Sequence, residues 1–216
     1  MSRLHKLRFE DAGYIEFCGD PSIDTSLLPE GGSWWNSHPC QSGENLQRYA
    51  LSALESKGKL LTEDLFGMLY SRFSAISEQL RPDFKHPTFV INNYHPFHMH
   101  VTKKGRDWTV TGFYDFEAAS SGNAMFDLVL NDLQITPFLG SLSWRTEFYR
   151  SYARPVLLES YRTILIIYLI LGLSTDSSEV IPAPDWFRER LPRLLDAERF
   201  EELEWYPVDQ SDDSQY

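Results

Sequence analysis

The sequence predicts a mainly α-helical domain with a small β-hairpin element near its centre. Apolar residues recur at helical spacing in two segments before residue 82 and through most of the chain after residue 123. Between them, residues 87–117 contain short runs with the composition and alternation of strands. Hydrophobic residues make up 42% of the 216 residues, so the chain is long enough and apolar enough to bury a substantial core.

Two helices are predicted before residue 82. Residues 43–56 form the first helix, and Thr62 caps the second, because its hydroxyl can accept a hydrogen bond from a first-turn N–H. Pro82 ends the second helix. The residues expected on its buried face are Leu65, Leu69, Phe73, Ile76 and Leu80.

The predicted β element is short. A strand is expected near residues 13–17 and another at "PTFVIN" (87–92), followed by a hairpin in which "KGRD" joins "HMHVTK" and "WTVTGFYDFE". Phe116 is expected in the core. The aromatic residues expected in the core or in a cleft wall are Trp108, Tyr114, Trp144 and Tyr149.

The rest of the chain is predicted to be helical, near 124–134, 142–172 and 185–205. The run "ILIIYLILGL" (164–173) is predicted to be a central core helix, because it is much shorter than the ~20 apolar residues that span a bilayer. Three regions follow from these patterns: an N-terminal strand and irregular segment (1–42), a helical body (43–205) and an acidic tail (206–216).

Composition limits the partners and the compartment. The net charge of −11 argues against nucleic acid and anionic membrane surfaces as partners. Cys18 and Cys40 form no CxxC pair, which favours reduced thiols in a cytoplasmic protein.

Polar residues crowd into one segment of the predicted β element. "FVINNYHPFHMHV" (89–101) holds two adjacent asparagines and three of the six histidines of the chain. "DFE" (115–117) and then "GNAMFDL" (122–128) follow it. The order of the three blocks resembles the C-terminal lobe of the aminoglycoside phosphotransferase family, which is kinase-like. The irregular segment 18–42 looks like the one that leads into this lobe in fungal-type members.

The resemblance implies a protein-kinase-like C-lobe with altered functional positions. The family's catalytic aspartate corresponds to Asn93, which cannot take up a proton near neutral pH. The asparagine that binds Mg²⁺ corresponds to His98, although Mg²⁺ prefers oxygen ligands. The metal-binding aspartate is kept as Asp115. Asp127 matches a structural residue that hydrogen-bonds the catalytic-loop backbone in relatives.

The resemblance also implies that the nucleotide-binding N-lobe is absent. Residues 1–42 contain no glycine-rich loop after a strand and leave no room for such a lobe. The apolar face left by the missing lobe would then need a cover, and residues 1–42, a ligand, a homodimer or a protein partner over that face would each supply one.

Three functions stay open at this stage. The first is a small-molecule cleft used for binding or for non-phosphoryl acid–base chemistry, such as cyclisation or isomerisation. The second is a pseudokinase-type binding or scaffold protein, and the third is a phosphotransferase completed by a separate N-lobe. The expected catalytic residues are Asn93, His95, His98 and Asp115. The expected substrate-binding residues are Tyr94, His100 and Glu117.

The cofactor is not identified by the sequence. ATP with Mg²⁺ is not favoured, because Asn93 and His98 replace the family's base and metal ligand. A transition metal held by His98 and Asp115, with His100 as a third ligand, is an alternative, because imidazole and carboxylate suit Zn²⁺, Mn²⁺ or iron.

Overall fold

The structure is a computed structural model. It describes residues 6, 8–9, 12–14, 38–92, 96–116, 118–152, 154–173 and 185–206. Cys18, the expected irregular segment up to residue 37 and the tail beyond residue 206 lie outside these residues.

The described residues are mainly helical and carry two small antiparallel sheets, which confirms the predicted fold class at this level. The helices are α1 (Gly43–Lys57), α2 (Glu63–Leu80), α3 (Met125–Leu139), α4 (Trp144–Tyr152), α5 (Leu158–Leu171) and α6 (Asp185–Asp196). The strands are β1 (Gly13–Tyr14), β2 (Thr88–Val90), β3 (Met99–Lys104), β4 (Asp107–Phe113) and β5 (Ser120–Gly122).

The first two helices begin and end close to the predicted positions. The Thr62 hydroxyl accepts a hydrogen bond from the Leu65 amide at 3.4 Å, so the predicted cap of α2 is confirmed. The α2 helix ends at Leu80 and continues as a 3₁₀ turn over Arg81–Phe84, which contains Pro82. All five residues of the predicted stripe on α2 are buried.

Helix α5 is the centre of the core, as predicted for the apolar run at 164–173. Its residues from Ser160 to Ile167 are all buried, and it packs against α1, α3 and α6. The prediction of one helix over 142–172 was wrong, because α4 ends at Tyr152 and α5 begins at Leu158. Pro155 lies between them, and proline lacks the N–H that would continue a helix.

The three-stranded sheet has the order β1-β5-β2, and both neighbouring pairs are antiparallel. Phe89 in β2 pairs with Ser121 in β5, and Gly13 in β1 pairs with Ser121 from the other side. The N-terminal segment extends this contact, because the Phe9 amide donates to the Pro87 carbonyl at 3.2 Å. This sheet therefore holds together the segments that precede and follow the polar loop.

The two-stranded sheet is the predicted hairpin of β3 and β4, with a turn in which Gly105 has φ +64°. Its side chains are largely exposed. Trp108 is 66% exposed, so its expected place in the core or a cleft wall was wrong. Phe116 is only half-buried and packs edge-on against Phe89 at 6.0 Å between ring centroids.

Two glycine-to-alanine substitutions are expected to change the free energy of unfolding in opposite directions. A Cβ on Gly122 would lie 2.4 Å from the Cys40 carbonyl oxygen, so Gly122→Ala must displace backbone and is expected to cost about 1–3 kcal/mol. A Cβ on Gly67, inside α2, meets nothing within 4 Å, so Gly67→Ala is expected to stabilise by about 0.5–1 kcal/mol. Urea unfolding followed by circular dichroism measures both changes, and equal effects would contradict the described packing of β5 on Cys40.

Candidate active site

The carboxylate of Asp127 anchors the start of the polar loop. Asp127 lies in the first turn of α3 and has no exposed surface. One of its oxygens accepts the Ile91 amide and the other accepts the Asn92 amide, each at 2.9 Å. Hydrogen bonds to a carboxylate are stronger than neutral ones, so this pair of bonds ties the residues after β2 to the helix.

Asn92 is held from a second direction. Its backbone has φ +57°, in the left-handed region that asparagine tolerates better than most residues. Its side-chain amide donates to the Ala118 carbonyl at 3.0 Å and to the Ser120 hydroxyl at 2.7 Å. Asn92 therefore joins the end of β2 to the beginning of β5.

On the other side of the loop, His98 meets Asp115. His98 ends the 3₁₀ turn Pro96–His98, and Asp115 follows β4. The distance from His98 Nε2 to Asp115 Oδ2 is 3.3 Å, and the two side chains are 25% and 30% exposed. The pair is thus partly buried and still reachable from solvent.

The backbone around this pair is also constrained. Asp115 has φ +66°, which is uncommon for a residue other than glycine. The Tyr114 amide donates to the His98 carbonyl at 3.1 Å, and the Tyr114 hydroxyl donates to the Phe97 carbonyl. Unfavourable backbone conformations persist where neighbouring contacts hold them, and they concentrate at functional sites.

Tyr114 also brings the two described histidines of the loop together. Its ring centroid lies 5.5 Å from that of His98 and 5.2 Å from that of His100. His100 is exposed and belongs to β3. Its predicted place beside a substrate is compatible with this position. The other expected site residues, Asn93, Tyr94, His95 and Glu117, lie outside the described residues.

The described residues do not assemble the three-ligand metal site considered as an alternative. No group of three or more His, Cys, Asp or Glu residues among them is arranged to hold a metal ion. His98 and Asp115 are two potential metal ligands in contact with each other, whereas the His100 ring lies against the Tyr114 ring at a tilt of 54°.

A buried cluster around Cys40 was not predicted. The Cys40 sulfur lies 3.0 Å from His38 Nδ1 and 3.1 Å from the Ser120 hydroxyl. Burial raises the pKa of the Cys40 thiol to about 12 and lowers the pKa of His38. Because the thiolate is the reactive form and Cys40 has no exposed surface, this cluster packs the site rather than acting as a nucleophile.

Sequence and structure comparisons identify no relatives. No family model, curated protein or solved structure matches the chain significantly. In the described part of the chain, every helix is too short or too polar to cross a membrane.

Asp127→Asn is expected to lower the free energy of unfolding by about 1–3 kcal/mol, because an amide NH₂ would replace an oxygen that accepts a buried N–H. Asp64→Asn is the matched control, since Asp64 also lies in the first turn of a helix but is exposed. Urea unfolding of both variants gives the two losses in the free energy of unfolding. The difference between them is the contribution of the hydrogen bonds to Ile91 and Asn92, beyond the general preference for acidic residues at helix starts. Equal losses in the two variants would show that the contact to the loop contributes little.

Proposed function

We propose that this protein is similar to the C-lobe of aminoglycoside phosphotransferases and binds a small molecule at the His98–Asp115 pair. The pair carries out acid–base chemistry, such as an isomerisation or a cyclisation, and no phosphate is transferred. The observation that carries the proposal is the contact of 3.3 Å between a partly exposed imidazole and a partly exposed carboxylate.

The arrangement of the loop supports the kinase-like part of the proposal. The resemblance assigns Asp127 to hydrogen bonds with the catalytic-loop backbone, and Asp127 accepts two amides at the start of this loop. The resemblance also requires a fixed order along the chain: a strand, a loop, a hairpin and then an acidic residue that lies beside the loop. The described order of β2, the turn at His98, β3, β4 and Asp115 is of this kind.

The chemistry of the pair follows from the two side chains. When Nε2–H of His98 donates to Asp115, Nδ1 is the basic nitrogen and can accept a proton from a substrate C–H or O–H. The Asp115 carboxylate orients the ring and stabilises the imidazolium that forms. The same proton can then return to another atom of the substrate, so isomerisation or ring closure needs no further reactant.

Phosphate transfer fits these residues poorly. Mg²⁺ takes oxygen ligands in a nearly octahedral arrangement. At the place where the resemblance puts an asparagine oxygen, Asp115 faces the His98 imidazole nitrogen. A nitrogen donor beside Asp115 disfavours Mg²⁺, so no step of the proposed chemistry uses ATP or a metal.

Ligand-observed and protein-observed NMR of the full chain tests the proposal. The panel consists of hydroxylated and cationic small molecules, which the resemblance implies as substrates, together with ATP and Mg²⁺. We expect a panel member to perturb the His98 and Asp115 resonances, with affinity reduced at least tenfold in His98→Gln and in Asp115→Asn. The matched control is His86→Gln, because His86 is exposed and belongs to another segment.

Two results would contradict the proposal. One is binding of ATP with Mg²⁺ that Asp115→Asn abolishes, which would favour phosphate transfer. The other is a panel in which no member perturbs His98 or Asp115. If a ligand binds, its conversion is followed by NMR, and His98→Gln should abolish the conversion.

The exposed hairpin favours a second candidate function, which is self-association as a binding protein. The cross-strand pairs place Val101, Val110 and Trp108 on one face, and their exposed fractions are 52%, 48% and 66%. A two-stranded hairpin with an apolar face is marginally stable unless that face is covered. The hairpin has three basic residues against one acidic residue, whereas the whole chain has a net charge of −11. An acidic surface of a second copy, outside that copy's own hairpin, therefore complements it in charge.

Sedimentation velocity tests the second candidate over a range of protein and salt concentrations. We expect the wild type to dimerise more weakly as salt rises, and the double substitution Val101→Thr and Trp108→Thr to be monomeric. The control is Met68→Thr, because Met68 is exposed on α2, away from the hairpin. A monomeric wild type at high concentration would exclude self-association through this face.

A further inference from the structure

A large groove lies away from the His98–Asp115 pair. It is a groove of about 850 Å³ between α4, α6 and the C-terminal segment 200–206. Ligand pockets for small molecules have volumes of roughly 300–1,000 Å³, so the groove is large enough for one. The lining residues that matter here are Arg145, Thr146, Tyr149, Arg190, Phe200 and Tyr206.

A buried ionic network connects Arg145, which lines this groove, to the segments around it. Asp132 is fully buried and accepts hydrogen bonds from the Thr136 hydroxyl at 2.7 Å and from Trp205 Nε1 at 3.2 Å. Its Oδ2 lies 3.3 Å from Arg145 Nε. Because Trp205 belongs to the segment that forms one side of the groove, the network fixes this segment against α3 and α4.

One nitrogen of Arg145 has no hydrogen-bond acceptor among the described residues. Arg145 is only 5% exposed, and its Nη1 donates to the Leu203 carbonyl at 2.9 Å. Its Nη2 is buried and has no hydrogen-bond partner among the described residues. A buried donor without an acceptor is costly, so an anion bound beside Arg145 would supply a favourable acceptor and charge.

Two further arginines line the groove. Arg190 lines it and uses Nη1 for the carbonyls of Glu204 at 3.1 Å and Tyr206 at 2.9 Å. Arg150 is exposed and pairs with Glu147, one turn earlier on α4. Three arginines against two glutamates line the groove, in a chain whose net charge is −11. Arg145 and Arg150 are already paired with Asp132 and Glu147, so the groove offers arginine N–H donors to a ligand rather than an excess of positive charge.

Aromatic rings complete the lining. The Phe200 ring centroid lies 4.3 Å from that of Tyr149, and the Arg145 guanidinium lies 4.3 Å from the Phe200 centroid. Tyr206 lines the same groove. Aromatic surface beside arginines suits a ligand that combines a planar ring with a negative charge.

We propose that this groove binds a small aromatic anion, such as an aromatic carboxylate. The anionic group lies near Arg145 and Arg150, and the ring packs against Tyr149, Phe200 and Tyr206. This inference is independent of the chemistry proposed at His98 and Asp115, because no residue of that pair lines the groove.

Fluorescence titration of the full chain with 8-anilinonaphthalene-1-sulfonate, an aromatic sulfonate, tests the proposal. We expect one site per chain and at least tenfold weaker binding in Thr146→Trp, because Thr146 is exposed and a tryptophan there would fill the groove. Ser143→Trp should weaken binding in the same way, because Ser143 lines the groove just before α4 begins. With two variants, a folding defect in one of them does not prevent the test. Circular dichroism and urea unfolding confirm that both variants fold.

The contribution of arginine charge to binding is tested by a matched pair of variants. Arg150→Glu is expected to weaken binding at least threefold. Arg188→Glu is the control, because Arg188 pairs with Asp185 one turn earlier on α6, as Arg150 pairs with Glu147 on α4. Arg188 does not line the groove, so this substitution should change binding less than twofold. In competition, 1-naphthoate should displace the dye and the neutral 1-naphthylmethanol should displace it much more weakly.

Three outcomes would overturn the proposal. The first is the absence of saturable dye binding to the wild type. The second is unchanged binding in both folded tryptophan variants, which would place the dye elsewhere. The third is equal displacement by the charged and the neutral competitor, which would mean that the arginines contribute no recognition.

Discussion

The two hydrogen bonds from Ile91 and Asn92 to the buried Asp127 carboxylate are the contact on which the candidate active site depends. They join the end of β2 to the first turn of α3. The same loop start is held to β5 through the Asn92 side chain. A charged group with no exposed surface is retained only where polar partners compensate its burial, and here these partners are backbone amides. These hydrogen bonds thus offset the cost of burying the Asp127 carboxylate, and they also fix the backbone at the start of the loop.

Hydrogen bonds at the end of the hairpin hold His98 and Asp115 in place. Backbone and side-chain hydrogen bonds from Tyr114 hold the turn that ends at His98. Asp115 is kept at a positive φ directly after this contact. The imidazole and the carboxylate are therefore positioned by hydrogen-bonded neighbours and remain partly exposed. The arginine-lined groove is built differently, because there a buried ionic network fixes the surrounding segments.

Much of the fold could be predicted because it follows from local patterns. Apolar spacing identified α1, α2 and the core helix α5, and the Thr62 cap marked the start of α2. Turn residues identified the hairpin. The break near Pro155 was missed because apolar residues continue on both sides of it. Trp108 was expected in the core or in a cleft wall, whereas consecutive residues of both hairpin strands are exposed, so neither face of the hairpin buries it. The contacts of Cys40 with Ser120 and of Asp132 with Trp205 join residues 80 and 73 positions apart, and no local pattern predicts such pairs. In the candidate site, His98, Asp115 and Asp127 were identified from the resemblance, and the contact between His98 and Asp115 needed the structure.

Amide hydrogen exchange at Ile91 and Asn92 tests the central role of Asp127 most directly. The account predicts that both amides are strongly protected in the wild type and that Asp127→Asn accelerates their exchange far more than that of amides in α5. It also predicts that the His98 and Asp115 resonances shift in the variant, because the loop start is no longer held. Rapid exchange of both amides in the wild type, or equal protection in Asp127→Asn, would contradict the account.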